Sequence, residues 1–267
     1  MEKMKNILAR VKEQAPLTLV ITNQVTIADC ANALLAIGAA PVMSNDPEDA
    51  RDLAALASAT VLNIGTVGAA QLEILLAAGQ GARASGRPVV LDPVGAGATA
   101  VRRAASEKLL READIIRGNW SEVQALAGLG GVQRGVDSAA GDDLSAVAAL
   151  AEKLADRLEA VVAVTGATDV VASRGQTWFI GGGSPLLTRL TGTGCLLSAM
   201  VGAYAGAGGN LVLATVGALA HLGLAGQRAA ESLSQAPLLG AFKTRLFDNL
   251  ALVSPEDLAR SGLATRK

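Results

Sequence analysis

Pro88-Val89-Val90-Leu91-Asp92-Pro93-Val94-Gly95-Ala96-Gly97 is the stretch from which the rest of this chain is read. Its apolar residues stand in a row without polar alternation, which marks a strand covered on both faces, as strands of parallel sheets are. The run ends in an acid, and a proline and two glycines follow at once, so the chain must turn there. Short apolar runs of the same kind recur at residues 17–21, 41–43, 60–64, 114–116 and 161–164. Ala- and Leu-rich helical stretches separate them near 27–37, 47–57, 69–84, 99–111 and 144–157. Strands alternating with helices of this length predict an α/β fold, a mostly parallel central sheet with helices on both faces. After Val164 the pattern changes. Residues 169–173, 176–180 and 186–190 are short and separated by glycines, and predict a few antiparallel strands appended to the parallel sheet. From Gly194 onward the chain reads as helical almost to its end. No break in composition and no fixed-period repeat interrupts it, so residues 1–267 read as one domain. Residues 128–143, rich in Gly, Ser and Asp, read as a long loop.

Composition narrows the function. Half of the 267 residues are hydrophobic (51%) but only 2% are aromatic, so Ala, Val, Leu and Ile must build the core. Lys and Arg number 23 against 24 Asp and Glu, a net charge of −1. Without a basic surface or stacking aromatics, a dedicated nucleic-acid binder is excluded. The two cysteines, Cys30 and Cys195, make neither a disulfide framework nor a zinc cluster, which fits a reducing, cytoplasmic setting. The first residues lead into a charged amphipathic helix with no apolar signal core. Residues 190–227 carry no charge, a span longer than the roughly 20 residues that cross a membrane. Gly206, Gly208, Gly209 and Asn210 interrupt it, so two helices buried between protein layers are expected instead.

Four motifs fall at expected strand ends or a helix start. Thr191-Gly192-Thr193-Gly194-Cys195 precedes a long helix; its glycines let the backbone approach a ligand, and the free N–H groups of a helix start bind anions, phosphate above all. It lacks the lysine of a Walker A loop and the spacing of a dinucleotide fingerprint. Cys195 ends the turn, where a helix start is expected to ease its ionisation; the alternative is a small residue packing the first turn. Cys30 fits that packing role better. Asp92, at a strand's carboxyl end, can hold a metal or polarise water, or simply begin a turn before Pro93. Asn119 and Glu122 sit three apart, which suits either a functional pair or an ordinary helix capping box. Arg117 beside them suits a phosphate contact. Val164-Thr165-Gly166 closes the set, its hydroxyl free to meet a nucleotide or make a turn.

Taken together with Ile21-Thr22-Asn23-Gln24-Val25, with Asn32-Ala33-Leu34-Leu35-Ala36-Ile37-Gly38-Ala39-Ala40-Pro41-Val42-Met43, and with Asn63-Ile64-Gly65-Thr66, Arg134-Gly135-Val136-Asp137 and Phe247-Asp248, these motifs closely resemble the hydroxyethylthiazole kinases of the ribokinase-like superfamily. Cysteine at 195, where the wider superfamily usually has aspartate, points to that branch. The resemblance implies ATP-dependent phosphorylation of the thiazole alcohol in thiamine salvage, with magnesium (Mg2+) as the cofactor and a homotrimer with sites between subunits. It implies that Asn23, Met43 and Gly192 bind the acceptor, that Arg117, Thr165, Thr193 and Gly194 bind the nucleotide, that Asp92 and Glu122 serve the metal, and that Cys195 is the catalytic base. Another ribokinase-like kinase, of the hydroxymethylpyrimidine type, and a catalytically weak nucleotide-binding protein are the alternatives. The chain departs from many relatives at Leu19, where they carry histidine, and at Ala28-Asp29-Cys30, changes that bear on the polarity of the acceptor pocket.

Overall fold

A computed structural model of the chain describes residues 2–128, 143–233 and 238–267. The interior of the expected 128–143 loop, with Arg134-Gly135-Val136-Asp137, lies outside the described residues. Strands β1 (Leu17–Ile21), β2 (Ala40–Val42), β3 (Ala59–Asn63), β4 (Val89–Asp92), β5 (Ile115–Asn119) and β6 (Val161–Thr165) run parallel. Strands β7 (Asp169–Ser173), β8 (Gln176–Ile180) and β9 (Ala264–Arg266) continue the same sheet antiparallel. The order across the sheet is β2-β1-β3-β4-β5-β6-β7-β8-β9.

The uninterrupted apolar runs have a simple purpose. Successive side chains of a strand point to opposite faces, so each run supplies two cores at once. Val20, Val61, Val90 and Ile115 face one core, packed by α1 (Glu2–Gln14), α2 (Ile27–Ala36), α8 (Thr193–Gly206), α9 (Leu211–Glu231) and α10 (Leu239–Leu252). Leu19, Ile21, Leu62, Leu91 and Ile116 face the other, covered by α3 (Pro47–Leu56), α4 (Ala69–Ala84), α5 (Ala100–Leu109), α6 (Trp120–Leu126) and α7 (Leu144–Leu158). A short α11 (Pro255–Arg260) packs against α1 and α9. Leu19 is therefore a wholly buried core residue, and the departure at that position is absorbed by packing.

The charge-free segment forms α8 and α9, broken at Gly208 and Gly209, both with positive φ, and restarted by Asn210, whose side chain caps Leu213 N. Among the described residues no helix is long and apolar enough to cross a membrane. Its only ring-bearing polar pair is fully buried: Tyr204 Oη lies 2.7 Å from His221 Nδ1, and His221 Nε2 lies 3.0 Å from Leu250 O. Burial lowers the His221 pKa to about 4, so the ring is neutral and pins α8, α9 and α10 together.

Two expectations need correction. Residues 186–190 are not a strand: Pro185 opens a 3-10 turn, Pro185–Arg189, and Ser184 Oγ accepts from Leu186 N at 3.2 Å. A proline at the first position with a serine cap favours a helical start over a sheet edge. The helical run reaches Arg260, almost the chain end as expected, and β9 after it pairs with β8. Residues 115–119 form β5, so Arg117 lies within the strand, not after it.

Close helix-to-sheet packing rests on Gly202 of α8. A Cβ added there would overlap Val61 Cγ2 and stand 3.2 Å from Thr18 Cγ2. Gly202→Ala should therefore lower the unfolding free energy by about 1–3 kcal/mol, the usual penalty of overpacking, in spite of alanine's better helix propensity. Urea unfolding followed by circular dichroism checks this; an equal or higher midpoint would show that α8 can slide.

Candidate active site

Parallel strands bring their carboxyl ends to one edge of a sheet, where α/β proteins place ligands. That edge collects Asn23 just after β1, Asn63 at the end of β3, Asp92 at the end of β4, Arg117 in β5 and Thr165 at the end of β6. Register aligns them: Asn63 pairs with Asp92 and Asn119 with Thr165. The start of α8 lies over the same edge.

Asp92 is the most constrained of these groups. It is wholly buried. Its Oδ2 accepts from Asn63 Nδ2 at 2.7 Å and from Ser198 Oγ at 2.9 Å. Its Oδ1 has no hydrogen-bond partner, and Arg117 Nη1 stands 3.9 Å away. Burial pushes the Asp92 pKa up to about 6, Arg117 pulls it back in part, and Glu122 adds to the rise.

Arg117, itself buried, donates from Nη2 to Thr165 Oγ1 at 2.7 Å, so these two expected nucleotide positions meet. Its Nε has no partner. The guanidinium also lies against the start of α8: a Cβ on Gly194 would stand 2.7 Å from Nη1. Glycine at 194 is thus required by a cation packed on the turn. Gly192 has φ +92 and would meet Thr26 Cγ2 at 2.6 Å if it carried a Cβ. The first turn of α8 begins its own hydrogen bonding with Leu196 N to Gly192 O at 2.8 Å, which leaves the preceding N–H groups directed out of the helix. Thr193 does not add its hydroxyl to that cradle, because Oγ1 donates to Leu187 O at 2.9 Å.

Cys195, half-buried, accepts from Asn23 Nδ2 at 3.3 Å. The expected easing of its ionisation is overturned: burial raises the thiol pKa, and the nearby Asp92 carboxylate raises it further. Desolvation and a like charge outweigh the hydrogen bonds from Thr26, Asn63 and Asn23, which lower it. Cys30 is fully buried, its thiol pushed up to about 12 mainly by burial, as its packing role requires. Asp29 beside it is turned outward to Lys243 Nζ at 2.8 Å.

Glu122 forms the capping box: Asn119 Oδ1 accepts from Glu122 N at 3.0 Å, and Glu122 Oε2 accepts from Asn119 N at 2.8 Å. Its Oε1 also accepts from Gly95 N at 2.9 Å, tying α6 to the loop after Asp92. Both oxygens retain lone pairs beyond these structural bonds. Met43 follows β2, half-buried against the same core as Cys195. Among the described residues no three His, Cys, Asp or Glu converge to hold a metal by themselves. The bare, buried Oδ1 of Asp92 fits one that arrives with ligand oxygens, as magnesium does on phosphates.

Sequence reading assigned no role to Asn63, Ser198 or Arg102. Asn63 ends an apolar strand as Asp92 does, and Ser198 is a polar residue three after Cys195 in a charge-free helix, which were the available signals. Arg102 Nη1 donates to Val94 O at 2.7 Å and Nη2 to Gly65 O at 2.6 Å, lacing together the loops after β3 and β4.

The Asp92 pKa has a measurable consequence. Because it lies above the ordinary 3.8, the folded protein keeps a proton that the unfolded chain has released between about pH 4 and 6. The stability this carboxyl contributes is thus complete below pH 3.8 and lost as pH rises through about 6, by about 3 kcal/mol in all. Urea unfolding of the ligand-free protein against Asp92→Asn, from pH 4 to 7, should show the parent losing ground to the variant as pH rises. A constant difference would mean that Asp92 ionises as an exposed acid does.

The sequence also matches known proteins. The model of the Hydroxyethylthiazole kinase family matches residues 8–256. A relative named hydroxyethylthiazole kinase from Methanoculleus marisnigri is 46% identical over 257 residues, covering 95% of this chain and 90% of that one. One of the same name from Thermoanaerobacter pseudethanolicus is 43% identical over 255 residues, covering 94% and 95%. The solved structure of a hydroxyethylthiazole kinase protein from Pyrococcus horikoshii OT3 superposes with a TM-score of 0.89 at 36% identity, covering 100% of this chain and 99% of that one. A Bacillus subtilis pyridoxal kinase solved as an ADP complex shares the fold, with a TM-score of 0.60 at 18% identity over 80% of this chain and 92% of that one. The fold is ribokinase-like, and the chain belongs to the hydroxyethylthiazole kinase family.

Proposed function

We propose that this protein, acting as one kinase unit, transfers the γ-phosphoryl group of ATP to the hydroxyl of 4-methyl-5-(2-hydroxyethyl)thiazole, forming the phosphate used in thiamine synthesis. The observation that carries the reading is the meeting of Asn23, Cys195 and the Arg117-flanked start of α8 at one sheet edge. A flat, mostly apolar thiazole suits a pocket that offers Asn23 and Met43 and few charges.

Phosphoryl transfer spreads charge over three equatorial oxygens through a loose transition state, so positioning and electrostatics do most of the work. The N–H groups at the start of α8, with Gly192 and Gly194 keeping the cradle open, would receive that charge. Arg117, held by Thr165, would bind nucleotide phosphate oxygens. Asp92, with Glu122 nearby, would hold magnesium and its waters, which supply further charge neutralisation when bound. Cys195 would take the hydroxyl proton. A thiol with a raised pKa suits a base needed late, when the attacking oxygen has already become acidic. The free thiols Cys30 and Cys195 suit a reducing, cytoplasmic setting. Exposed Val25, Ile27 and Leu35, on and before α2, support a homotrimer that covers them and places acceptor sites between subunits. Sedimentation of monomer alone at micromolar concentration would overturn that assembly.

ADP release should require ATP and magnesium and rise well above background on adding the thiazole alcohol; no rise would end the assignment. Cys195→Ala should lower turnover by roughly 10², the low end for general-base catalysis, since a loose transition state asks little of a base. The parent rate should climb as pH rises above 7, because more of the raised-pKa thiol is ionised, and Cys195→Asp should flatten that climb. A parent profile already flat, with Cys195→Ala fully active and folded, would leave the thiol as packing only.

A further inference from the structure

The polar groups at the sheet edge form a closed ring. Starting on α8, Cys195 Sγ accepts from Asn23 Nδ2 at 3.3 Å. The same amide donates to Asn63 Oδ1 at 3.0 Å, Asn63 Nδ2 donates to Asp92 Oδ2 at 2.7 Å, and Asp92 Oδ2 accepts from Ser198 Oγ at 2.9 Å. Ser198 returns the chain to α8, three residues and about one turn after Cys195. Four of these five groups, Asn23, Asn63, Asp92 and Ser198, are buried.

The backbone fixes the direction of the bonds that the two amides make. Gly65 N donates to Asn63 Oδ1 at 2.8 Å, and Val25 N donates to Asn23 Oδ1 at 3.1 Å. A backbone N–H can only donate, so each of these oxygens is identified as the acceptor and each Nδ2 must point the other way. Asn63 consequently touches both halves of the site. Its oxygen sets the Asn23 amide, which faces the thiol, and its nitrogen sets the Asp92 carboxylate with Oδ1 left bare beside Arg117. Ser198 grips the carboxylate alone. The tight approach of Gly65 to Asn23, where an added Cβ would stand 2.7 Å from Nδ2, leaves that amide little room to turn unaided.

The geometry points to Asn63 as a positioning residue that orients the acceptor-side amide and the phosphate-side carboxylate together, with Ser198 positioning the carboxylate only. This rests on the kinase reading above. It predicts a split that a purely structural polar pair would not give. Asn63→Ala should raise the dissociation constant of hydroxyethylthiazole, measured by calorimetry without nucleotide, by about tenfold, roughly the loss of one oriented hydrogen bond. It should also lower kcat by roughly tenfold to a hundredfold, as small misplacements of reacting groups do. Ser198→Ala should lower kcat in the same direction while its thiazole dissociation constant stays within about twofold of the parent's.

The parent is measured first. If it neither binds nor phosphorylates the thiazole, the kinase reading fails, irrespective of either variant. If the parent does both, folded Asn63→Ala with binding and kcat within about twofold of the parent overturns the positioning role. If Asn63→Ala does not fold, Ser198→Ala decides: unchanged kcat, or thiazole binding weakened as much as kcat, overturns it, and lost kcat with intact binding supports it.

Discussion

A carboxylate taken wholly out of water at the end of β4 sets the terms for everything around it. Asp92 carries a charge that burial disfavours, and the protein answers with two donors on one oxygen and a guanidinium 3.9 Å from the other. Each answer fixes a second element. Asn63 ties β4 to β3, Ser198 brings α8 down onto the sheet, and Arg117 links β5 to β6 through Thr165. An isolated buried charge would be prohibitive, whereas one held by two donors and a nearby guanidinium can be kept.

The same constraint accounts for α8. Its N-terminal turn must lie close enough to the sheet edge for Ser198 to reach Asp92 and for Cys195 to meet Asn23. Gly194 leaves room for Arg117, Gly192 for Thr26, and Gly202 for Val61. The glycines of the turn are thus also those that let a helix sit this low. Farther along, the neutral Tyr204–His221 pair anchors the helix from its other side without placing a charge in the core.

Much of this was legible in the chain. Uninterrupted apolar runs ending in Asp92 or Thr165 announced a doubly covered parallel sheet, and Arg117 and Thr165, both expected to serve the nucleotide, are joined by a hydrogen bond. Family motifs carried the assignment much further than composition, which alone stops at a phosphate-binding α/β enzyme. What escaped was set by distant neighbours. A three-residue strand at 264–266 has no signal until β8 offers it an edge, and residues 186–190 look like a strand until Pro185 and its serine cap are weighed. The Cys195 pKa was misjudged because a helix start is visible in sequence and desolvation beside Asp92 is not. Asn63 and Ser198 drew no role for the same reason: their importance lies in a ring that closes across residues 23 to 198.

If this site places a thiazole alcohol against a phosphoryl group, the identity of the product shows it. Phosphorus NMR of a mixture of protein, ATP, magnesium and 4-methyl-5-(2-hydroxyethyl)thiazole should show a phosphate monoester accumulating in step with ADP. Inorganic phosphate as the sole partner of ADP, with no ester formed, would contradict the account.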